Sequence, residues 1–167
     1  MKITLLISLL MVMLVCPVSA QQPKNENPIL DQMTGNWVLQ GTISGHETTH
    51  DVESTWVLGR EYIRLHEVSR ERNAQGQPAY EAIVFIGWDK SSNDYTCLWL
   101  DSTGAGGISP QAIAHGKRTG DEIAFLFDGN FHTTFVYNKT SDTWQWLMDN
   151  DDGGKLSPFA RVKLTRK

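Results

Sequence analysis

The chain has 167 residues, a formal charge of −4 and an apolar content of 40%. That length holds one domain with a real core and not comfortably two, and an acidic balance without a basic run argues against a nucleic-acid partner. Six tryptophans in so short a chain are heavy use of a large, partly polar side chain, which points to core packing or to an aromatic-walled ligand cavity.

Lys2, an apolar run over 5–15 broken only by Ser8, then Pro17 and the small-residue end Val18-Ser19-Ala20 read as a signal peptide covering 1–20. The run is too short for a membrane anchor, which needs ~20 apolar residues. Cys16 raises lipid attachment, but bulky Leu14-Val15 before it and Pro17 after it speak against that. The expectation is a periplasmic or secreted protein with no membrane span in its mature form. The remaining 147 residues carry 14 basic and 19 acidic side chains, a formal charge of −5. Cys97 is then the only cysteine left, so no internal disulfide is possible, and a small buried hydrophobe is expected over a reactive thiol.

Residues 21–27 form a polar, flexible N-terminal segment, and a single domain is expected over 28–167. Asn27 suits a cap, Pro28 a first helical position and Gly35 a stop, which predicts a short helix over 28–34. The rest is a succession of runs rich in Val, Ile, Thr, Tyr, Phe and Trp, each closed by turn chemistry. The predicted strands are 36–44, 48–58, 61–71, 79–89, 95–101, 111–117, 122–128, 131–138, 142–149 and 157–166. Short connections make neighbours antiparallel. Closing about ten strands into an up-and-down β-barrel removes the two exposed edges that an open sheet would leave.

In the third strand Tyr62, Arg64 and His66 share one face while Ile63 and Leu65 share the other. If the even face points inward, Arg64 and His66 are polar groups in an aromatic cavity suited to an anionic head group; if outward, they are solvated surface. Trp144, Trp146 and Met148 share a face of the ninth strand. Trp99 and Asp101 complete the cavity candidates, with Asp101 pairing with Arg60 or Arg64 or, in preference, capping the glycine turn after it.

The stretch "GHETTHD" over 45–51 spells the His-Glu-x-x-His of zinc hydrolases. That chemistry needs His46 and His50 one helical turn apart, whereas Thr48, Thr49 and the following Val52 to Trp56 read as strand. On a strand, residues four apart share a face but stand roughly 13 Å apart, so no single zinc ion joins them. A hairpin loop could still bring His46, His50 and Asp51 together, but the expectation is no metal and no peptidase. "DNDDGG" over 149–154 starts like a calcium loop but lacks the oxygen ligand at position five and the closing acid at twelve, so it reads as an acidic hairpin turn.

The Gly35-Asn36-Trp37 start of the first strand resembles the Gly-x-Trp opening of the calycin and lipocalin barrels. Together with "LGREYI", "GWDKSSNDYTCLWLDSTG" and the basic end "FARVKLTRK", the whole mature chain resembles a family of small exported bacterial calycin-like proteins, a domain-of-unknown-function family. The resemblance implies that Trp37 packs across the closed barrel end beneath Arg166, or less readily Arg161, as a structural cation–π stack. It also implies no agreed ligand. A likeness to nitrobindins, ten-stranded barrels that bind haem through a late histidine, would put that role on His115 or His132, although the last strand contains none.

The resulting reading is an exported protein that binds a small apolar or amphipathic molecule in a barrel cavity, with no cofactor. The alternatives are a filled barrel acting as a structural or partner-binding module, and an enzyme using the cavity. No nucleophile and base can be placed together from spacing alone, so no catalytic residue is assigned.

Overall fold

The computed structural model describes residues 27–104, 108–128 and 130–167. The expected signal peptide over 1–20, Cys16 and the polar segment up to residue 26 lie outside them. A helix, α1 (Pro28–Met33), precedes ten strands: β1 (Gly35–Ile43), β2 (His46–Val57), β3 (Tyr62–Ser69), β4 (Glu81–Asp89), β5 (Asp94–Asp101), β6 (Ile113–Thr119), β7 (Glu122–Phe127), β8 (Phe131–Asn138), β9 (Thr143–Asp151) and β10 (Leu156–Arg166). Each strand pairs antiparallel with its neighbours in sequence, and β10 returns to pair with β1 over Trp37↔Arg166 to Ile43↔Ala160. The result is a closed up-and-down barrel of the calycin and lipocalin type. Among the described residues no helix is long and apolar enough to cross a membrane.

Alternation decides what enters the barrel. Along β3, Ile63, Leu65, Glu67 and Ser69 are buried while the residues between them are not, so the odd-numbered face is the interior. The same rule sends Trp144, Trp146 and Met148 of β9 inward. Cys97 is buried between Ile86 and Ala114 on the flanking strands, and burial pushes its thiol up, away from the reactive thiolate.

One end of the barrel is closed by α1. Six residues do not hold a helix alone, so its ends need partners. Asn27 accepts a hydrogen bond from the Leu30 amide at 3.4 Å and donates through its own amide to the Tyr95 hydroxyl at 2.9 Å. At the other end the carbonyls are taken up by the barrel: Trp37 Nε1 donates to Met33 O at 2.9 Å and Trp144 Nε1 to Gln32 O at 3.4 Å. Arg166 donates to Thr34 O at 2.6 Å and to Gln32 O at 3.1 Å while lying 3.8 Å from the centroid of the Trp37 ring. The seam tolerates no side chain at Gly35: its φ of +126° is a backbone state for glycine, and a Cβ there would run into Arg166. On the far side of the helix, Asp31 accepts from Trp56 Nε1 at 2.8 Å and pairs with Arg60, whose guanidinium covers the Trp56 ring at 4.6 Å.

Two expected outcomes follow from this end of the molecule. Arg166→Ala removes two bonds to helix carbonyls and the stacked cation, and lowers stability by about 2–3 kcal/mol. Arg166→Lys, keeping the charge without the planar fork, falls between the two. Urea unfolding at constant slope reads both, and a midpoint left in place by Arg166→Ala would remove Arg166 from the account. Asp51, on the outer face of β2, is held from 3.8 to about 2 by hydrogen bonds from Arg70 and Lys167. A depressed carboxyl stabilises the folded state above its unfolded pKa and loses that contribution as pH falls, here from 3.8 towards about 2. Asp51→Asn should flatten that part of a plot of unfolding midpoint against pH, and leave its slope above about pH 5 as in the parent.

Candidate functional site

The barrel interior is filled from the helix end only halfway. Trp37, Trp144, Trp146, Tyr95, Phe125 and Phe135 are its largest fully buried side chains. Trp146 stacks on Phe135 at 4.5 Å and donates its Nε1 to the Thr133 hydroxyl at 3.1 Å. Above this layer, towards the β1–β2, β3–β4, β5–β6, β7–β8 and β9–β10 connections, lies a cavity of about 930 Å³. Trp99 marks the boundary. It touches Trp146 below at 5.3 Å and Phe127 above at 6.4 Å, and from Phe127 the aromatic wall continues through Phe131 to Phe159 at 6.2 and 5.5 Å. Met148 completes the apolar side.

The opposite wall is polar and acidic. Strand tilt in a barrel makes a hydrogen-bonded row climb as it goes round. The row Arg166, Trp37, Val52, Glu67, Ala82, Asp101 therefore starts at the helix end and reaches the cavity mouth. Glu67 sits in its middle with only 2% of its surface exposed, beside His50 at 3%. The two are diagonal neighbours, since Val52 pairs with Glu67 and His50 with Ser69. His50 Nδ1 is hydrogen-bonded to Glu67 Oε1, and His50 Nε2 lies 2.7 Å from Thr48 Oγ1. A carboxylate only accepts, so Nδ1 supplies the proton of the Glu67 bond, while the Thr48 hydroxyl can serve Nε2 as donor or acceptor. Glu67 Oε2 has no hydrogen-bond partner.

Tyr80 stacks on His50 at 5.7 Å. Its hydroxyl accepts from Trp99 Nε1 at 3.2 Å and donates to Asp101 Oδ2 at 3.4 Å. Burial first, then the nearby Glu67 and Asp101 carboxylates, push the Tyr80 phenol above its usual range, so it remains a neutral donor. Asp101 Oδ1 meanwhile caps the turn that follows, accepting from the Thr103 amide at 2.8 Å and the Gly104 amide at 2.9 Å.

Of the seven sequence-derived cavity candidates, Trp99 and Asp101 line the cavity. Trp144 and Trp146 are fully buried in the packed half and do not. Tyr62, Arg64 and His66 are turned outward, a correction with a packing reason. The apolar partners of β3 on the inside, Ile63 and Leu65, claim the core, and Tyr62, 40% exposed, lies over the bare backbone of Gly87 on the outer surface. Arg64 pairs with Glu53 at 3.3 Å and His66 with Glu81 at 2.6 Å across the outer face. Neither Arg60 nor Arg64 reaches Asp101, since Arg60 is committed to Asp31. The turn-capping alternative describes Asp101.

The His-Glu-x-x-His stretch lies in β2, not in a helix. His46 sits at the cavity rim and His50 in its wall. Among the described residues no group of three or more His, Cys, Asp and Glu is placed to hold a metal ion. His115 and His132 do not line the cavity, which leaves the haem alternative without the histidine it relied on. His132 faces Asp151 at 3.4 Å instead. Asp149 to Asp151 end β9 and the residues after them make the β9–β10 turn, closed by the Gly154 amide on Asp151 Oδ1 at 2.5 Å.

The residues that sequence reasoning missed are Glu67, Tyr80 and the cavity role of His50. One signal was available: Glu67 is in phase with Ile63 and Leu65, a charge on an apolar face. No family model matches the chain, and no curated protein matches it.

The unpartnered carboxylate oxygen makes a stability prediction. Breaking a buried pair by truncation leaves its partner stranded, so Glu67→Ala should cost about 2–4 kcal/mol. Glu67→Gln keeps an acceptor for His50 Nδ1 and removes the desolvated charge, so it should be at least as stable as the parent. Urea unfolding separates the two, and equal losses in both variants would make the charge structural.

Proposed function

We propose that this protein is an exported small-molecule-binding protein, periplasmic or secreted, that takes an apolar or amphipathic molecule into the open half of its barrel. The observation that carries the reading is the half-filled interior: about 930 Å³ walled by Trp99, Phe127, Phe131, Phe159 and Met148. Pockets of that size and composition bury most of a small ligand, and a barrel that served only as a structural module would gain by filling the space with side chains. Ile108, exposed at the mouth, adds apolar surface where a ligand tail would leave.

A second reading, an enzyme working in the same cavity, is favoured by the convergence of a histidine and a carboxylate on it. A hydroxyl stands beside that histidine, Thr48 Oγ1 at 2.7 Å from His50 Nε2 with Glu67 at Nδ1, and the binding reading is preferred over it on the volume and aromatic wall of the cavity.

Native mass spectrometry of protein purified from its own compartment, followed by extraction, is the direct test of cargo. In vitro, the neutral apolar fluorophore N-phenyl-1-naphthylamine should bind one to one. Phe131→Ala and Phe159→Ala should each weaken it about five- to thirtyfold through lost apolar contact, while Leu126→Ala on the exposed side of β7 should not. Absence of stoichiometric binding, or equal loss from the Leu126 variant, would sink the proposal.

A further inference from the structure

The charge of the cavity wall identifies the kind of molecule it suits. Its described lining includes five carboxylates, Glu47, Glu67, Glu71, Asp101 and Asp128, and no lysine or arginine. Four of these are near the mouth, where solvent screens them. Glu67 is different: it is 2% exposed, lies deep in the wall, and its Oε2 has no hydrogen-bond partner. A buried carboxylate oxygen without a donor costs free energy that a well-packed apolar side chain would not. His50 satisfies one oxygen only, and the hydroxyls of Thr48 and Tyr80 in the same wall are engaged elsewhere, Thr48 with His50 and Tyr80 with Asp101.

We propose that the ligand is an amphipathic amine, whose protonated nitrogen supplies the missing donor to Glu67 Oε2 while its apolar part lies along Phe127, Phe131 and Phe159. This inference rests on the cavity-binding reading and deepens it. Three features agree. A protonated amine carries both a positive charge and N–H donors, so its bond to a desolvated carboxylate is charge-assisted. Tyr80 and Trp99 also line the cavity, and aromatic rings attract a cation to their faces. The rim carboxylates produce a negative potential at the mouth that draws cations in and repels anions. The anionic head group expected from Arg64 and His66 is replaced by its opposite, because those two side chains are outside and the unpartnered buried group inside is a carboxyl.

Three probes of one chain length test this: decylamine, decan-1-ol and decanoate, each titrated calorimetrically into the protein at neutral pH, below the concentration at which the probe aggregates. The expected order is amine, then alcohol, then carboxylate, with the amine at least about tenfold tighter than the carboxylate. In Glu67→Gln the ratio of amine to alcohol affinity should fall towards one. Decanoate binding as tightly as decylamine, or a ratio that survives Glu67→Gln, would overturn the amine assignment and leave the cavity reading standing. Failure of all three probes, the neutral alcohol included, would bring down the cavity reading and this inference with it. The comparison among probes on the parent protein needs no variant, so it decides the matter even if Glu67→Gln folds poorly.

Discussion

Closure of the sheet between β1 and β10 is the constraint on which everything else depends. Until those strands pair, the sheet has two edges with unpaired backbone groups and no inside. Once they pair, every inward side chain faces every other across a space whose width is set by the strand number. The seam is pinned where it begins. Arg166, at the end of β10, covers Trp37 on β1 and reaches past it to the carbonyls of α1. One side chain thus joins the first strand, the last strand and the plug. The two indoles that donate to the same helix end come from β1 and β9, so the helix docks only on a closed barrel.

With the width set, the interior is governed by residue volume. Tryptophan and phenylalanine from β1, β7, β8 and β9 fill the helix end, and the space above them is left to Thr48, Ser69 and Ala79 on one side and a single layer of aromatic rings on the other. The polar wall follows from the same geometry. A row that begins with Arg166 and Trp37 and climbs round the barrel arrives at Glu67 and Asp101 in the hollow half. A hydrophobic residue at Glu67 would have completed the apolar series started by Ile63 and Leu65. Its replacement by a half-satisfied carboxylate breaks local consistency in the one region that is also hollow. Departures of that kind concentrate at functional sites.

Much of this fold was legible in the chain. Turn residues punctuated it so regularly that the strand boundaries fall within about two residues of those expected, and the cap, proline and glycine around residues 27–35 marked α1. One of the two-residue differences lies at the end of β3, expected to run to residue 71. The ladder stops at Ser69, and the chain continues through a loop in which Arg72 and Pro78 form an isolated bridge. Composition alone does not distinguish that from strand. The site was legible in pieces. Trp99 and Asp101 could be named because an indole and a carboxylate two apart on a strand share a face. Tyr62, Arg64 and His66 were placed with them because alternation identifies two faces without saying which is inside. What decides it is the pairing of Ile63 and Leu65 with Ile86 and Val84 on β4, a relation between strands that no single strand contains.

The His-Glu-x-x-His spelling carries the same lesson into chemistry. In a helix its two histidines would face one ion; in β2 the four-residue spacing distributes them along a single inward face, so that His46 stands at the rim and His50 in the wall. The intervening inward residue, Thr48, becomes the hydroxyl partner of His50 Nε2. With that nitrogen occupied and Nδ1 turned to Glu67, the imidazole acts as a fixed spacer that orients one carboxylate oxygen and leaves the other free. The motif's second histidine therefore holds an acid in place in the cavity wall, with one carboxyl oxygen left without a partner.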